Sequence, residues 1–438
     1  MLNVAIFWSN YDVFEVEKRI SINFLAVGLV LMTKTKSHKW TFTARFRTNA
    51  FGWKGSSLAC KRIKEAVSEI RKTARKDPLL GAEGAIKLMQ KLWPSLQHVD
   101  SSSGALGTAV YHAVGELVDL VADAPADEKT RAKWLDRLWE VFNDDGVGFL
   151  DVLGERWGDV CKTPPLTSQW ADELVPIVRS TWEEARQGTF SYFNGTGACL
   201  SCLLAAGRHQ ELLDLIESAP RISWHYRKYG VDALVTMGRK GEAIKYAKAS
   251  CGFNDNPTAI DRACEKILIS SGLHEEAYRQ YGLMVNRGGT NLATFRNIAK
   301  KYPMKEKGQI LADLIETTPG EEGKWFATAK SLGMLPLALR LAYRSPCDPR
   351  TLNRAARDYL EKEPEFALGV AIAALHWLTQ GHGYEITASD VLSAHDYAMK
   401  ASEKLGLKEQ VCEDIKNIVG QDISPGFFVK DVLGRFLI

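Results

Sequence analysis

Gly207-Arg-His-Gln-Glu-Leu212, Gly238-Arg-Lys-Gly-Glu-Ala243, Gly272-Leu-His-Glu-Glu-Ala277 and Gly333-Met-Leu-Pro-Leu-Ala338 are four versions of one phrase. Their glycines lie 31, 34 and 61 residues apart, the last gap being close to two periods. Such a period predicts stacked helical hairpins, in which each unit packs mainly on its neighbours. In each unit a first helix ends at the glycine, which tolerates a left-handed turn, and a second helix begins about three residues later. A fold of this kind builds surfaces rather than a catalytic pocket.

The same grammar continues outward from the phrase. Ile260, Ala263, Cys264, Ile267 and Leu268 form the inner stripe of one first helix, and Ala277 and Tyr281 stand four apart on its partner. Leu352, Ala355, Ala356 and Tyr359 repeat that spacing further down. Ala198–Ala206 and Phe366–Leu378 are apolar almost all round, as helices buried between layers are. Pro257, Pro303, Pro319, Pro346 and Pro364 sit where one pair gives way to the next, and Tyr302-Pro303 holds the place of the missing glycine.

Upstream, Ala59, Ile63, Ala66, Val67 and Ile70 predict an amphipathic helix over 58–76 with a basic outer face, ended by Asp77-Pro78. Further helices are expected at 105–123, from about Asp127 to Asn143, and near 146–158, 167–185 and 196–206. Pro176 should start or kink a helix within 167–185. Residues 40–47, Trp-Thr-Phe-Thr-Ala-Arg-Phe-Arg, alternate apolar and polar and favour an extended segment. No comparable alternation follows residue 50, so the remainder reads as all-α.

The glycine followed five residues later by alanine resembles the inter-helix turn of tetratricopeptide repeats, and the unit length agrees. That family's first-helix Trp–Leu–Gly–Tyr signature is missing, and Leu212 replaces one alanine. The resemblance implies an all-α, right-handed α-solenoid of stacked antiparallel hairpins with a short extended N-terminal segment. The stretches Ala44-Arg-Phe-Arg-Thr-Asn-Ala-Phe-Gly-Trp53, Val99-Asp-Ser-Ser-Ser-Gly104, Thr318-Pro-Gly-Glu-Glu-Gly-Lys-Trp325 and Arg344-Ser-Pro-Cys-Asp-Pro349 resemble a group of bacterial proteins of this size without an assigned activity. That similarity runs over most of 40–418. The expected division is 1–31 as an extension of doubtful origin (Met32 being an alternative start), 32–77 as a basic, aromatic segment with the first helix, 78–190 as an N-terminal helical region, 191–380 as tetratricopeptide-like repeats, and 381–438 as capping helices and tail.

Composition sets the remaining bounds. The chain has 438 residues, 45% apolar and 25% charged, an ordinary globular composition. Its net charge of +3 hides an asymmetry: thirteen Lys/Arg against three acids from Thr33 to Asp77, then twelve acids against five bases from Tyr111 to Val160. Such a dipole steers an anionic partner to one end, unless both blocks are simply solvated helix faces. Eight scattered cysteines without a disulfide framework fit a reducing, cytoplasmic setting. The apolar stretch from Ile20 to Met32 is shorter than the ~20 residues of a spanning helix, so no membrane partner is expected.

The chemical motifs are thin. Cys199-Leu-Ser-Cys202 lacks a second ligand pair and lies in an apolar helix, so packing explains it better than zinc. His376 and His382 lack a carboxylate neighbour, and His395 joins them only through tertiary contact. Asp144, Asp145 and Asp151 lack the spacing of a calcium loop, and Asp100-Ser-Ser-Ser-Gly-Ala-Leu-Gly107 lacks the ending of a phosphate loop. No enzyme activity, cofactor or metal is expected. The strongest candidate surface joins Trp40, Phe42, Phe46, Phe51 and Trp53 to Arg45, Arg47, Lys54, Lys61, Arg62, Lys64, Arg71, Lys72, Arg75 and Lys76. Aromatics stack on bases and cations neutralise phosphates, which suits single-stranded DNA or RNA. The competing and favoured reading is that these aromatics cap the open end of the array. The expected function is therefore a protein-interaction scaffold that holds a peptide or protein segment in a concave groove, with nucleic-acid binding through 40–76 as the alternative.

Overall fold

The structure, a computed structural model, describes residues 38–189, 191–252 and 255–436; the doubtful extension 1–31 and the alternative start at Met32 lie outside them. The described residues are α-helices, 3₁₀ turns, a π turn at Tyr278–Gly282 and loops, without a strand. The chain forms two compact units that meet in sequence at Leu153 and Gly154, inside the helical region expected over 78–190.

In the first unit the segment expected to be extended is instead folded into a 3₁₀ turn, Thr41–Ala44. The alternation was real, but its polar backbone groups find a carboxylate rather than a strand. Glu69 accepts the N–H of Thr41 (2.8 Å), the hydroxyl of Thr41 (2.5 Å) and the N–H of Phe42 (3.2 Å). Trp40 seats its ring over Gly84, where an added Cβ would stand 2.3 Å from it. Phe42, Phe46 and Phe51 are buried with it.

The helix Ser56–Ala74 then buries the expected stripe of Ala59, Ile63, Ala66, Val67 and Ile70. Asp77 caps the next helix, Pro78–Leu96, by accepting from Leu80 N (3.0 Å), with Pro78 at its first position. Ala105–Asp123 packs on both, and Glu128–Asp144 packs on Pro78–Leu96. Arg131, almost wholly buried, donates to the carbonyls of Val121 (3.2 Å) and Ala124 (2.6 Å). A guanidinium thus satisfies acceptors left open where Ala105–Asp123 ends.

In the second unit the helices pack as sequence-adjacent pairs. The pairs include Thr196–Ala205 with His209–Glu217, Trp224–Thr236 with Lys240–Lys248, Pro257–Ser270 with the helical run opening at His274–Ala277, and Phe326–Ser331 with Leu335–Arg344. Gly207, Gly238, Gly272 and Gly333 hold φ of 73°, 77°, 76° and 74°. Each sits in one hydrogen-bond pattern. At the first turn, Arg208 N donates to Leu203 O (3.0 Å) and Gly207 N to Leu204 O (3.1 Å). Arg239 to Leu234, Leu273 to Leu268 and Met334 to Ala329 repeat the longer bond. This is the Schellman arrangement, which consumes carbonyls orphaned at a helix end. The residue five after each glycine, Leu212, Ala243, Ala277 or Ala338, has no exposed surface.

The same turn recurs at Gly188, Gly381 and Gly406, outside the quoted phrase. Where the glycine is missing, Tyr302 is buried instead and its N–H donates to Ile298 O (2.8 Å). A contiguous apolar core runs from Val231 to Leu433. Two local expectations change. The helix Pro164–Arg186 continues through Pro176 rather than starting there. The helix near 146–158 is two short pieces, Asp151–Glu155 and Trp157–Cys161.

Candidate functional site

The basic segment resolves into committed and uncommitted groups. Trp40 is only 5% exposed, whereas Trp53 is 67% exposed, so one ring of the two faces solvent. Arg45 and Arg62 both pair with Glu65, at 2.6 and 2.7 Å. The Arg62 hydrogen bond holds the Glu65 carboxyl below its ordinary range. Arg71 reaches across to Glu116 at 3.2 Å, and Arg47 donates to Ala44 O at 3.0 Å. Lys54, Lys61, Lys64, Lys72, Arg75 and Lys76 are exposed, and no carboxylate pairs with them among the described residues.

The structure brings part of this segment to a cleft. A cavity of about 740 Å³ lies between the helices Ser56–Ala74 and Ala105–Asp123, with Ile63, Lys64, Val67 and Arg71 on one side and Thr108, Ala109, His112 and Glu116 on the other. Its second wall was not singled out from sequence, because the partner helix is about forty-five residues away. The remaining basic candidates do not line it.

Two further clefts belong to the second unit. One of about 560 Å³ is lined by Trp182, Tyr192, Phe193, His225 and Tyr226. The other, about 480 Å³, gathers Arg350, Arg354, Arg357, Tyr384, Asp390 and Tyr397. Arg350, Arg354 and Arg357 share a helix face by their four- and three-residue steps, a pattern that was legible in the sequence but not singled out. Arg350 is spoken for: it grips Asp390 with two bonds of 3.0 Å and the carbonyl of Glu385 at 2.6 Å.

The weaker motifs behave as packing and capping groups. Cys199 and Cys202 are buried beside Cys161, and burial pushes the Cys199 thiol up to about 12, which disfavours the reactive thiolate. His376 and His382 flank the Trp377 ring at 4.7 and 5.3 Å, while His395 packs on Phe436. Asp100 accepts from Ser102 N (2.9 Å), and Asp145 from Leu150 N (2.6 Å). No group of three or more His, Cys, Asp or Glu is placed to hold a metal among the described residues. One described helix, Ala105–Asp123, has the length and apolarity to cross a membrane. Its apolar face, including Leu106, Val110, Val114, Leu117 and Val121, is buried against protein.

These features define an all-α protein of helical hairpins joined by repeated glycine turns. No protein-family model matches the chain, and no curated protein matches it. Among solved structures, one described as a circular tandem repeat protein with novel repeat topology and enhanced subunit contact surfaces aligns with 87% of this chain and 82% of its own length. The identity is 15% and the TM-score 0.19, too low for any argument to rest on it.

Proposed function

We propose that the protein is a non-enzymatic interaction scaffold whose hairpins over 191–380 hold a protein or peptide segment in a groove. The observation that carries this reading is the recurrence of one glycine turn with the same hydrogen bonds along the second unit. Like units joined by like turns present like side-chain positions at regular intervals, and extended partners bind such surfaces. On this reading the array is tetratricopeptide-like with right-handed stacking, and the protein works in the cytoplasm.

The nucleic-acid alternative, centred on 40–76, draws less support. Trp40, Phe42, Phe46 and Phe51 are buried and so cap the first unit rather than offer stacking faces. Trp53 with Lys54, Lys61, Lys72 and Arg75 still provides an exposed cationic surface. Cross-linking of the purified protein in cell lysate, followed by mapping of the linked peptides, tests the choice. Protein partners linked to hairpin faces within 191–380 are expected. Recovery of nucleic acid alone, linked to 40–76, would replace the scaffold reading.

A further inference from the structure

The helices Ser56–Ala74 and Ala105–Asp123 run in the same direction and in register. At one end the thiol of Cys60 meets the carbonyl of Ala105 at 3.8 Å, and eleven residues along each helix Arg71 meets Glu116 at 3.2 Å. The seam between these two ties is therefore about 16 Å long, or three helical turns. The cavity of about 740 Å³ lies along it. Ile63, Val67 and Ala113 are buried at its base, and Ala105 and Ala109 continue the alanine row at four-residue steps. Small side chains on one helix leave room for larger ones from outside.

The electrostatics of the flanking wall are one-sided. Residues 38–77 carry eleven Lys/Arg and three acids, a balance of +8. All three acids are engaged by the fold: Glu65 by Arg45 and Arg62, Glu69 by the Thr41–Phe42 turn, and Asp77 by the N–H of Leu80. Lys64 on the cleft wall is left without a carboxylate among the described residues; Lys61 and Lys72 on the same helix, and Arg75 and Lys76 just past its end, are likewise exposed and unpaired but lie outside the cleft lining. The opposite helix begins at the cleft with Gly104 as its N-cap; the Ser103 hydroxyl accepts the N–H of Ala105 (3.4 Å), and the remaining first-turn N–H groups add the positive end of the helix dipole.

We propose that this cleft receives an acidic amphipathic segment of a partner protein, its apolar side chains on the Ile63–Val67–Ala109 floor and its carboxylates toward Lys64 and the neighbouring cations. The proposal rests on the scaffold reading but uses a different surface, in the first unit. An apolar floor matches side chains rather than a phosphate backbone. Four of the five aromatic rings that would stack on bases, Trp40, Phe42, Phe46 and Phe51, are buried, and the exposed Trp53 does not line the cleft.

Fluorescence anisotropy on the full chain tests it. The probe is a labelled synthetic peptide of Leu and Glu with its leucines on one helical face, alongside its Leu/Lys counterpart and labelled oligo-dT. The acidic peptide is expected to bind, the lysine peptide not. Lys64→Glu with Arg71→Gln should weaken binding by about tenfold or more, since each rim charge contributes up to about 1 kcal/mol. Thr108→Trp, which fills the cleft from an exposed position, should weaken it to a similar degree, whereas Lys416→Glu, exposed in the second unit outside 191–380, should leave it unchanged. Thermal midpoints and circular dichroism of each variant separate lost binding from lost fold. Failure of the acidic peptide to bind, indifference to Thr108→Trp, or tighter binding of oligo-dT governed by the same residues would each overturn the assignment. Partners cross-linked to 191–380 in the same preparation would leave the scaffold reading standing while this one falls.

Discussion

Glu265 is wholly buried in the second unit, where it accepts hydrogen bonds from the Tyr302 phenol (2.6 Å) and Asn286 Nδ2 (2.6 Å) and pairs with Lys301. Burial, and then the Glu265 carboxylate, push the Tyr302 phenol well above its usual value. Asn286 also returns a bond to Gly282 O (2.9 Å), the last residue of a π turn over Tyr278–Gly282. One carboxylate therefore ties three segments that are remote in sequence. Removing it alone strands the Tyr302 phenol and leaves Lys301 and Asn286 with each other and Gly282 O as their remaining partners. Glu265→Ala is expected to cost about 2–3 kcal/mol in urea unfolding, less than the ~3–5 kcal/mol of breaking a fully buried pair, because Lys301 is one-third exposed and keeps its bond to Asn286 Oδ1 (3.1 Å). Glu265→Leu combined with Lys301→Met should recover much of that loss, because the pair as a whole contributes far less than either orphan costs. Equal destabilisation by the single and double variants would show that the network does not act through charge pairing.

For the helical elements, two glycines separate two kinds of constraint. At Gly238, with φ of 77°, a Cβ would meet nothing within 4 Å, so only backbone conformation resists substitution. Gly238→Ala is expected to cost about 1–2 kcal/mol in thermal or urea unfolding, and Gly238→Asn less. At Gly84 the backbone is ordinary helix, but a Cβ would stand 2.3 Å from the Trp40 ring. Gly84→Ala should therefore expel Trp40 and shift tryptophan emission to the red, a readout that Gly238→Ala leaves alone. The contrast also explains what the sequence made legible. A left-handed turn is a property of a few consecutive residues, so the phrase at Gly207, Gly238, Gly272 and Gly333 carried its own structure. The turn over Thr41–Ala44 is imposed from outside by Glu69 and the Gly84 slot, which alternation at 40–47 cannot report. The same limit held for the cleft. The basic helix was visible as a charge run, but its wall from Thr108 to Glu116 and the engagement of Arg71 depend on tertiary contact.

At the scale of the molecule, the unit from Gly154 onward gathers His225, His376 and His395, and burial is the first cause depressing each of them. A histidine whose folded pKa lies below its unfolded value near 6.5 stabilises nothing above that pH. As pH falls through about 6.5 the unfolded chain takes up protons first, so stability declines from there until the folded values are passed. This window lies above that of the carboxylates, such as Asp390, which the Arg350 hydrogen bond holds low. The urea midpoint is expected to fall between pH 7.5 and 5.5, and His376→Gln should narrow the difference. The same unit is built from neighbour-on-neighbour helix pairs along one continuous core, which sets how far a local defect should spread. Ala338→Gly, at a wholly buried position in Leu335–Arg344, should weaken that helix by about 1 kcal/mol. Native-state hydrogen exchange is expected to quicken in Phe326–Ser331, Leu335–Arg344 and the adjoining Pro364–Thr379, and to stay unchanged in Trp224–Thr236. Uniform acceleration from Gly154 to the end would mean that the pairs melt as one body, and a scaffold made of semi-independent hairpins would no longer describe the protein.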